Sequence, residues 1–318
     1  DGEAWTNITP PTFGSVYNRI VMAVDPSNEN VLYFLGNTPG SGQASRDFFD
    51  EEEFNSLWKY TYVSGDGTGN GGIWEDLSTS IPHDGESNFD NFYAQGSYNM
   101  MIKVSPFDSN TVLIGGTNLY VSTDGFASDS NVNLIGGYTP GTTFPDFKIY
   151  DNHHPDNHDV VFLPSNPDVL LSASDGGVRR TENMYADTVV WSNLNRGYQG
   201  QQLYTIGFNP STTDDILIGG FQDNGNFFTN SEDPRAEWVL PLNGDGSYMG
   251  IADAGDLYYL SIQIGKIFKV QLNNDGEVVS FRRIDPAQAD RDDYLFINPF
   301  TLDPNNNDIM YVAGGTKV

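Results

Sequence analysis

Three of the chain's four histidines fall in one short run, His153-His154-Pro155-Asp156-Asn157-His158-Asp159, and imidazoles interleaved with carboxylates are groups that can hold a cation or move a proton. His154, Asp156 and His158 sit at alternate positions, so in an extended segment all three would point to one face. Two imidazoles and a carboxylate are chemically adequate for a transition metal, although the residues alone leave the metal unknown. The competing reading is structural: Asp156 orients a histidine and the cluster ties one strand entry to its neighbour.

Further acids follow, each preceding or beside glycine and after an apolar run: Asp175 in Ser174-Asp175-Gly176-Gly177, Asp223 in Gln222-Asp223-Asn224-Gly225, and Asp245 in Gly244-Asp245-Gly246. Taken singly, each reads as a tight turn in which the carboxylate accepts backbone N–H bonds and glycine supplies a positive φ. Their recurrence suggests a shared location with His158. Carboxylates and amides gathered in this way, with Gln222 and Asn224 among them, suit ligand hydroxyls, or calcium as the candidate cofactor. Asp66 to Asn70 and Asn273-Asn274-Asp275-Gly276 offer similar oxygens but lack the spacing of an EF-hand loop, and read as solvated hairpin turns.

Elements that could position these groups are legible as a repeated phrase. An apolar strand runs into a turn with proline and Asn, Asp or Ser, and a stronger apolar strand follows. Copies lie around Pro26, Pro106, Pro164, Pro210 and Pro304, with a degenerate copy around Ala254. After a first interval of about 80 residues the markers recur every 44 to 58 or so, a period that fits propeller blades of several short strands. A third strand follows each hairpin, as in Leu119-Tyr120-Val121-Ser122, and a fourth carries Trp74, Trp191 or Trp238. The fold class expected is therefore all-β: a β-propeller of six four-stranded antiparallel blades, with seven as the second count. Residues 1–318 form a single propeller domain in this reading, a fragment of a longer chain. Trp5 is expected to supply an outer strand to the blade beginning near Leu302. The acidic stretch from Arg46 to Leu57 is assigned a short helix, with Phe48 and Phe49 as candidate stacking aromatics beside Tyr198 and Tyr248.

Composition narrows the partners. Forty-three acidic against 15 basic residues give a net charge of -28, which repels nucleic acid and anionic membranes. Cysteine is absent, so thiolate chemistry and disulfides are excluded. No apolar stretch is long enough for a membrane span.

Ser122-Thr123-Asp124-Gly125 resembles the Asp-box turn of BNR, sialidase-type and sortilin-type propellers. The ordered phrases His154-Pro155-Asp156-Asn157-His158, Asp175-Gly176-Gly177, Gln222-Asp223-Asn224-Gly225 and Gly244-Asp245-Gly246 are similar to those of large secreted propeller proteins of the Bacteroidetes type, many exported by type IX secretion. The resemblance covers about a third of the chain strongly and implies a protein that is secreted or held at the cell surface, with further domains and secretion machinery among its partners. The first expectation for function is a non-catalytic binding or adhesion module that recognises protein or polysaccharide through His154, Asp156, His158, Asp175, Gln222, Asp223, Asn224 and Asp245. A glycoside hydrolase of the Asp-box propeller kind is the alternative, and a structural spacer in an adhesin the third reading. Tyr17-Asn18-Arg19-Ile20 is only loosely similar to the arginine motif that opens sialidases, and no Gly-x-Ser-x-Gly nucleophile phrase occurs.

Overall fold

The structure, a computed structural model, describes residues 4–46, 52–83, 92–139, 142, 147–198, 200–209, 215–252, 257–286 and 291–315. The chain divides into two compact units, residues 1–198 and 199–318. Each is built from antiparallel sheets, as the repeated hairpins predict.

Unit 1 holds three sheets. The first contains β1 (Ile20–Asp25), β2 (Asn28–Asn37), β3 (Gln43–Arg46), β4 (Glu52–Tyr62) and β5 (Gly72–Asp76) in the order β1-β2-β4-β3, with β5 also on β4. The second runs β6 (Met101–Val104), β7 (Val112–Gly115), β8 (Leu119–Ser122) and β9 (Val132–Gly136) in simple succession. The third does the same with β10 (Asn157–Phe162), β11 (Leu170–Ser174), β12 (Gly177–Thr181) and β13 (Trp191–Asn193).

Unit 2 repeats the pattern twice. Its fourth sheet is β14 (Leu203–Phe208), β15 (Leu217–Phe221), β16 (Gly225–Thr229) and β17 (Val239–Leu242). The fifth is β18 (Met249–Ile251), β19 (Leu257–Ile262), β20 (Lys266–Leu272) and β21 (Val278–Arg283). A sixth sheet pairs only β22 (Phe300–Asp303) with β23 (Asn306–Val312) among the described residues. Six antiparallel sheets, four of them simple four-stranded meanders among the described residues, are the blades of a β-propeller-class fold. No helix of the described residues is long and apolar enough to cross a membrane.

The phrases around Pro26, Pro106, Pro164 and Pro304 form turns between the first two strands of their sheets, while Pro210 lies outside the described residues. Asp25 shows how one such turn closes: its Oδ1 accepts the Ser27 N–H and hydroxyl, both at 2.8 Å. The Ser122 to Gly125 turn closes more fully. Ser122 Oγ accepts from Phe126 N at 2.8 Å, while Asp124 accepts from Ser128 Oγ at 2.7 Å and Asn131 Nδ2 at 2.9 Å. These bonds hold the Asp124 carboxyl below its usual range even though partial burial opposes them.

Two expectations are corrected. Residues 52–57 lie in β4 rather than in a helix, because Leu57 and its neighbours continue a strand that pairs with β2. Trp5 lies outside any strand and is 91% exposed. Phe48 and Phe49 lie outside the described residues.

The second blade explains why its strands read as continuous apolar runs. Ile102, Val104, Val112, Ile114 and Tyr120 pack with Tyr33, Leu35 and Leu57 of the first blade. The alternate positions Met101, Leu113, Leu119 and Val121 pack with Val160, Leu170 and Trp191 of the third. A sheet covered on both faces needs apolar side chains at both phases of the strand period. Leu113 is fully buried, and Leu113→Ala is predicted to lower unfolding stability by about 3 kcal/mol in denaturant titrations. Val190→Ala, at a strongly exposed position, should change it by less than about 0.5 kcal/mol.

Candidate functional site

At one end of the third blade, β10 begins where β11 turns into β12. Ser174 pairs with Gly177, leaving Asp175 and Gly176 to form the turn, and Gly177 takes φ 92°, which favours glycine. Asp175 is thereby placed across from His158, the second residue of β10. His158 Nε2 donates to Asp175 Oδ1 at 2.5 Å. That hydrogen bond, reinforced by the charges of Asp175 and Asp156, raises the His158 pKa above the usual imidazole value, against partial burial and the nearby Arg19. The imidazolium and Asp175 carboxylate thus form an ion pair that persists to higher pH than an isolated histidine would allow.

Asp156 is buried, and one of its carboxylate oxygens lies within 4.8 Å of one from Asp175. Asn99 Nδ2 donates to Asp156 Oδ1 at 2.7 Å, and Asp156 N donates to Thr117 O at 3.0 Å. The backbone of Asp156 has φ 65°, a left-handed conformation that breaks the extended run predicted for this segment. Alternation therefore fails as a guide: His154, Asp156 and His158 do not line one strand face. His154 Nδ1 donates to the Pro155 carbonyl at 2.9 Å, and burial lowers its pKa. Among the described residues, no histidine joins a cluster of three or more acidic or imidazole groups close enough to share an ion.

The loop that supplies Asn99 is held from below by Glu53 on β4. This buried carboxylate accepts from Ala94 N at 2.7 Å through Oε1 and from Gly96 N at 2.6 Å through Oε2, while Asn55 Nδ2 donates to it at 2.7 Å. Arg19 Nη1 donates to the carbonyls of Ser97 and Tyr98, each at 3.1 Å. Tyr98 is half-exposed and meets His158 edge to face, ring centroids 5.4 Å apart. Gln95 and Ser97 also carry positive φ, so non-glycine strain gathers around this end of unit 1, as it does at functional sites. Glu53, Asn99 and Tyr98 were not marked by any motif. Their one signal was the long first interval of about 80 residues between Pro26 and Pro106, within which all three fall.

His153 has a different role. It is 1% exposed, lies tilted against Trp191 with ring centroids 4.4 Å apart and shares a hydrogen bond between Nε2 and Ser172 Oγ at 3.0 Å. Its Nδ1 has no hydrogen-bond partner, and any Cβ at Gly136 would overlap the ring. Trp191 Nε1 in turn donates to Ile135 O at 2.7 Å, joining the second and third blades. His153 is thus a core group held neutral.

In unit 2, Gln222, Asp223 and Asn224 form the turn between β15 and β16, and Asp245 precedes β18. Asp223 N donates to Asp245 Oδ1 at 3.1 Å, Asp245 N to Gln263 Oε1 at 3.1 Å, and Asn224 Nδ2 to Gln222 O at 2.9 Å. Asp223 shares the left-handed backbone of Asp156, with φ 57°. The acidic hairpins behave as turns: Asp66 accepts from the Thr68 backbone and hydroxyl, and Asn273 Oδ1 accepts from Asp275 N and Glu277 N.

No protein-family model matches the sequence, and no curated protein matches it. Among solved structures, a GH74 enzyme from Niastella koreensis aligns over 87% of this chain and 43% of its own, with 12% identity and a TM-score of 0.38. The GH74 xyloglucanase from Xanthomonas campestris aligns over 93% of this chain and 47% of its own, with 14% identity and a TM-score of 0.40. The chain spans less than half the length of either enzyme. Both neighbours are glycoside hydrolases, and the expectation that put a non-catalytic adhesion module first is corrected on that finding.

Burial pushes the His153 pKa down to about 3, with the Arg179 charge adding to the effect. A histidine depressed in the folded state favours the unfolded chain once protons become available. Its contribution to stability is complete above about pH 6.5, the unfolded value, and drains away as the pH falls toward about 3. The predicted loss by about pH 4.5 is roughly 2–3 kcal/mol. Unfolding free energies measured across this window should fall less steeply for His153→Gln than for the parent chain.

Proposed function

We propose that the chain is the propeller portion of a glycoside hydrolase, with Asp156 and Asp175 as its carboxylate pair. The approach of their oxygens to within 4.8 Å carries the reading. Cleavage of a glycosidic bond through an oxocarbenium-like transition state needs two carboxyl groups beside the scissile bond, and a separation near 5 Å goes with double displacement. Asp175, half-buried on a turn and paired with His158, is assigned the nucleophile. Asp156 is assigned the acid that protonates the leaving oxygen. In the second step it takes a proton from the water that releases the sugar from Asp175, so the pair returns to its starting state.

His154 is assigned to the wall of the same site, since its Cβ lies against Gly176 beside Asp175. In unit 2, Gln222, Asp223, Asn224 and Asp245 are assigned contacts to sugar hydroxyls. The partner is thus a polysaccharide. Xyloglucan, named for the Xanthomonas enzyme, is the first substrate to assay. The closed hydrogen-bond ring around Asp124 supports an Asp-box assignment for the second blade. Secretion or surface display, with type IX export as the route, belongs to the same proposal and rests on the phrases from His154 to Gly246.

Release of reducing ends from xyloglucan and other β-glucans tests the reading. Asp175→Asn and Asp156→Asn are each predicted to cut the rate roughly a thousandfold or more, whereas Asp66→Asn, on a solvated hairpin, leaves it unchanged. Absence of released sugar from every polysaccharide, or hydrolysis indifferent to both substitutions, would remove the assignment.

A further inference from the structure

A concavity lies in unit 1, lined by none of the residues of the acidic turn of the third blade. It has a volume of about 470 Å³ and forms where the segment after β5 meets the outer strands of the second blade. The size lies within the range of small-molecule sites. Ile81, Val132, Leu134 and the ring of Tyr120 give it an apolar floor, with Ile81 and Tyr120 buried. Ser130, Asp129 and His83 add polar groups at exposed positions.

The polar groups restrict what can bind. His83 Nδ1 donates to the Ile81 carbonyl at 3.0 Å, so in the neutral ring Nε2 is an acceptor. Asp129 accepts only, and Ser130 can do either. No lysine or arginine is among the described residues that line the cavity, so a phosphate, sulfate or carboxylate would find no counter-charge beside Asp129. An uncharged ligand with several hydroxyl donors and one apolar face satisfies both halves of the lining. A pyranose has that form: its C–H face can lie on the floor while its hydroxyls reach Asp129 and His83.

We infer that this cavity binds a neutral sugar unit, independently of the carboxylate pair Asp156 and Asp175. The juxtaposition of an apolar floor with an acceptor-rich, cation-free rim is what assigns it. Such a site would retain a polysaccharide chain without taking part in its cleavage.

Titration of the intact chain with glucose, galactose, xylose, cellobiose and lactose, followed by backbone amide NMR, tests this inference. At least one sugar is expected to shift Ser130, Val132 and Leu134 in a saturable manner. Asp129→Asn and His83→Ala should each weaken that binding roughly tenfold or more, the loss expected for a hydrogen bond to a charged or oriented acceptor. Both substituted positions are exposed, so the amide spectrum elsewhere reports directly that the fold is kept. Asp175→Asn should bind the sugar as the parent does, which separates this outcome from the hydrolysis assay. The inference is overturned if none of the sugars shifts these amides, if both variants bind unchanged, or if ethanolamine displaces the sugars and binds more tightly, which would make the cavity a cation site.

Discussion

Asp156 sets the terms for one end of unit 1. A buried carboxylate next to another carboxylate needs oriented donors, and the surrounding loops supply them through contacts that are distant in sequence. Asn99 reaches Asp156 from the entry to the second blade. The preceding loop is in turn clamped by Glu53 of the first blade, through the N–H groups of Ala94 and Gly96. His158 and Asp175 complete the arrangement within the third blade. Three blades therefore converge on one pair of acids, and Asp156 takes a left-handed backbone just before the strand that follows.

The blades can hold such loops steady because the second is packed on both faces. Residues at one phase of β6, β7 and β8 belong to the core shared with the first blade, and those at the other phase to the core shared with the third. Trp191 adds a polar tie by donating to Ile135 O, while its ring covers the neutral His153. A rigid scaffold with short loops at strand ends is the setting in which chemistry on loops becomes precise.

Much of this fold was legible because it obeys local rules. Proline fixes φ at first turns such as that at Pro26, and the residues around it close the hairpin; the doubly buried strands announce themselves as Val112-Leu113-Ile114 and Leu119-Tyr120-Val121. Trp5 misled because a tryptophan near a repeat boundary resembles the fourth-strand signal of Trp74 and Trp191, but no pairing accompanies it. The 52–57 segment misled through composition: Glu52 and Glu53 favour a helix, yet Leu57 must pair with Leu35. At the site, His158 and Asp175 were visible as residues, whereas their bond was not, since 17 positions separate them. The failure at His154, Asp156 and His158 has a single cause. Side-chain alternation holds only while the backbone is extended, and Asp156 leaves that region of φ.

The ion pair of His158 and Asp175 is the most direct reporter of this geometry. An NMR pH titration of the His158 ring in the intact chain should give a midpoint above 6.5, the ordinary value of the group, and Asp175→Asn should move it downward. A midpoint at or below 6.5 that does not respond to the substitution would contradict the arrangement on which the site is built.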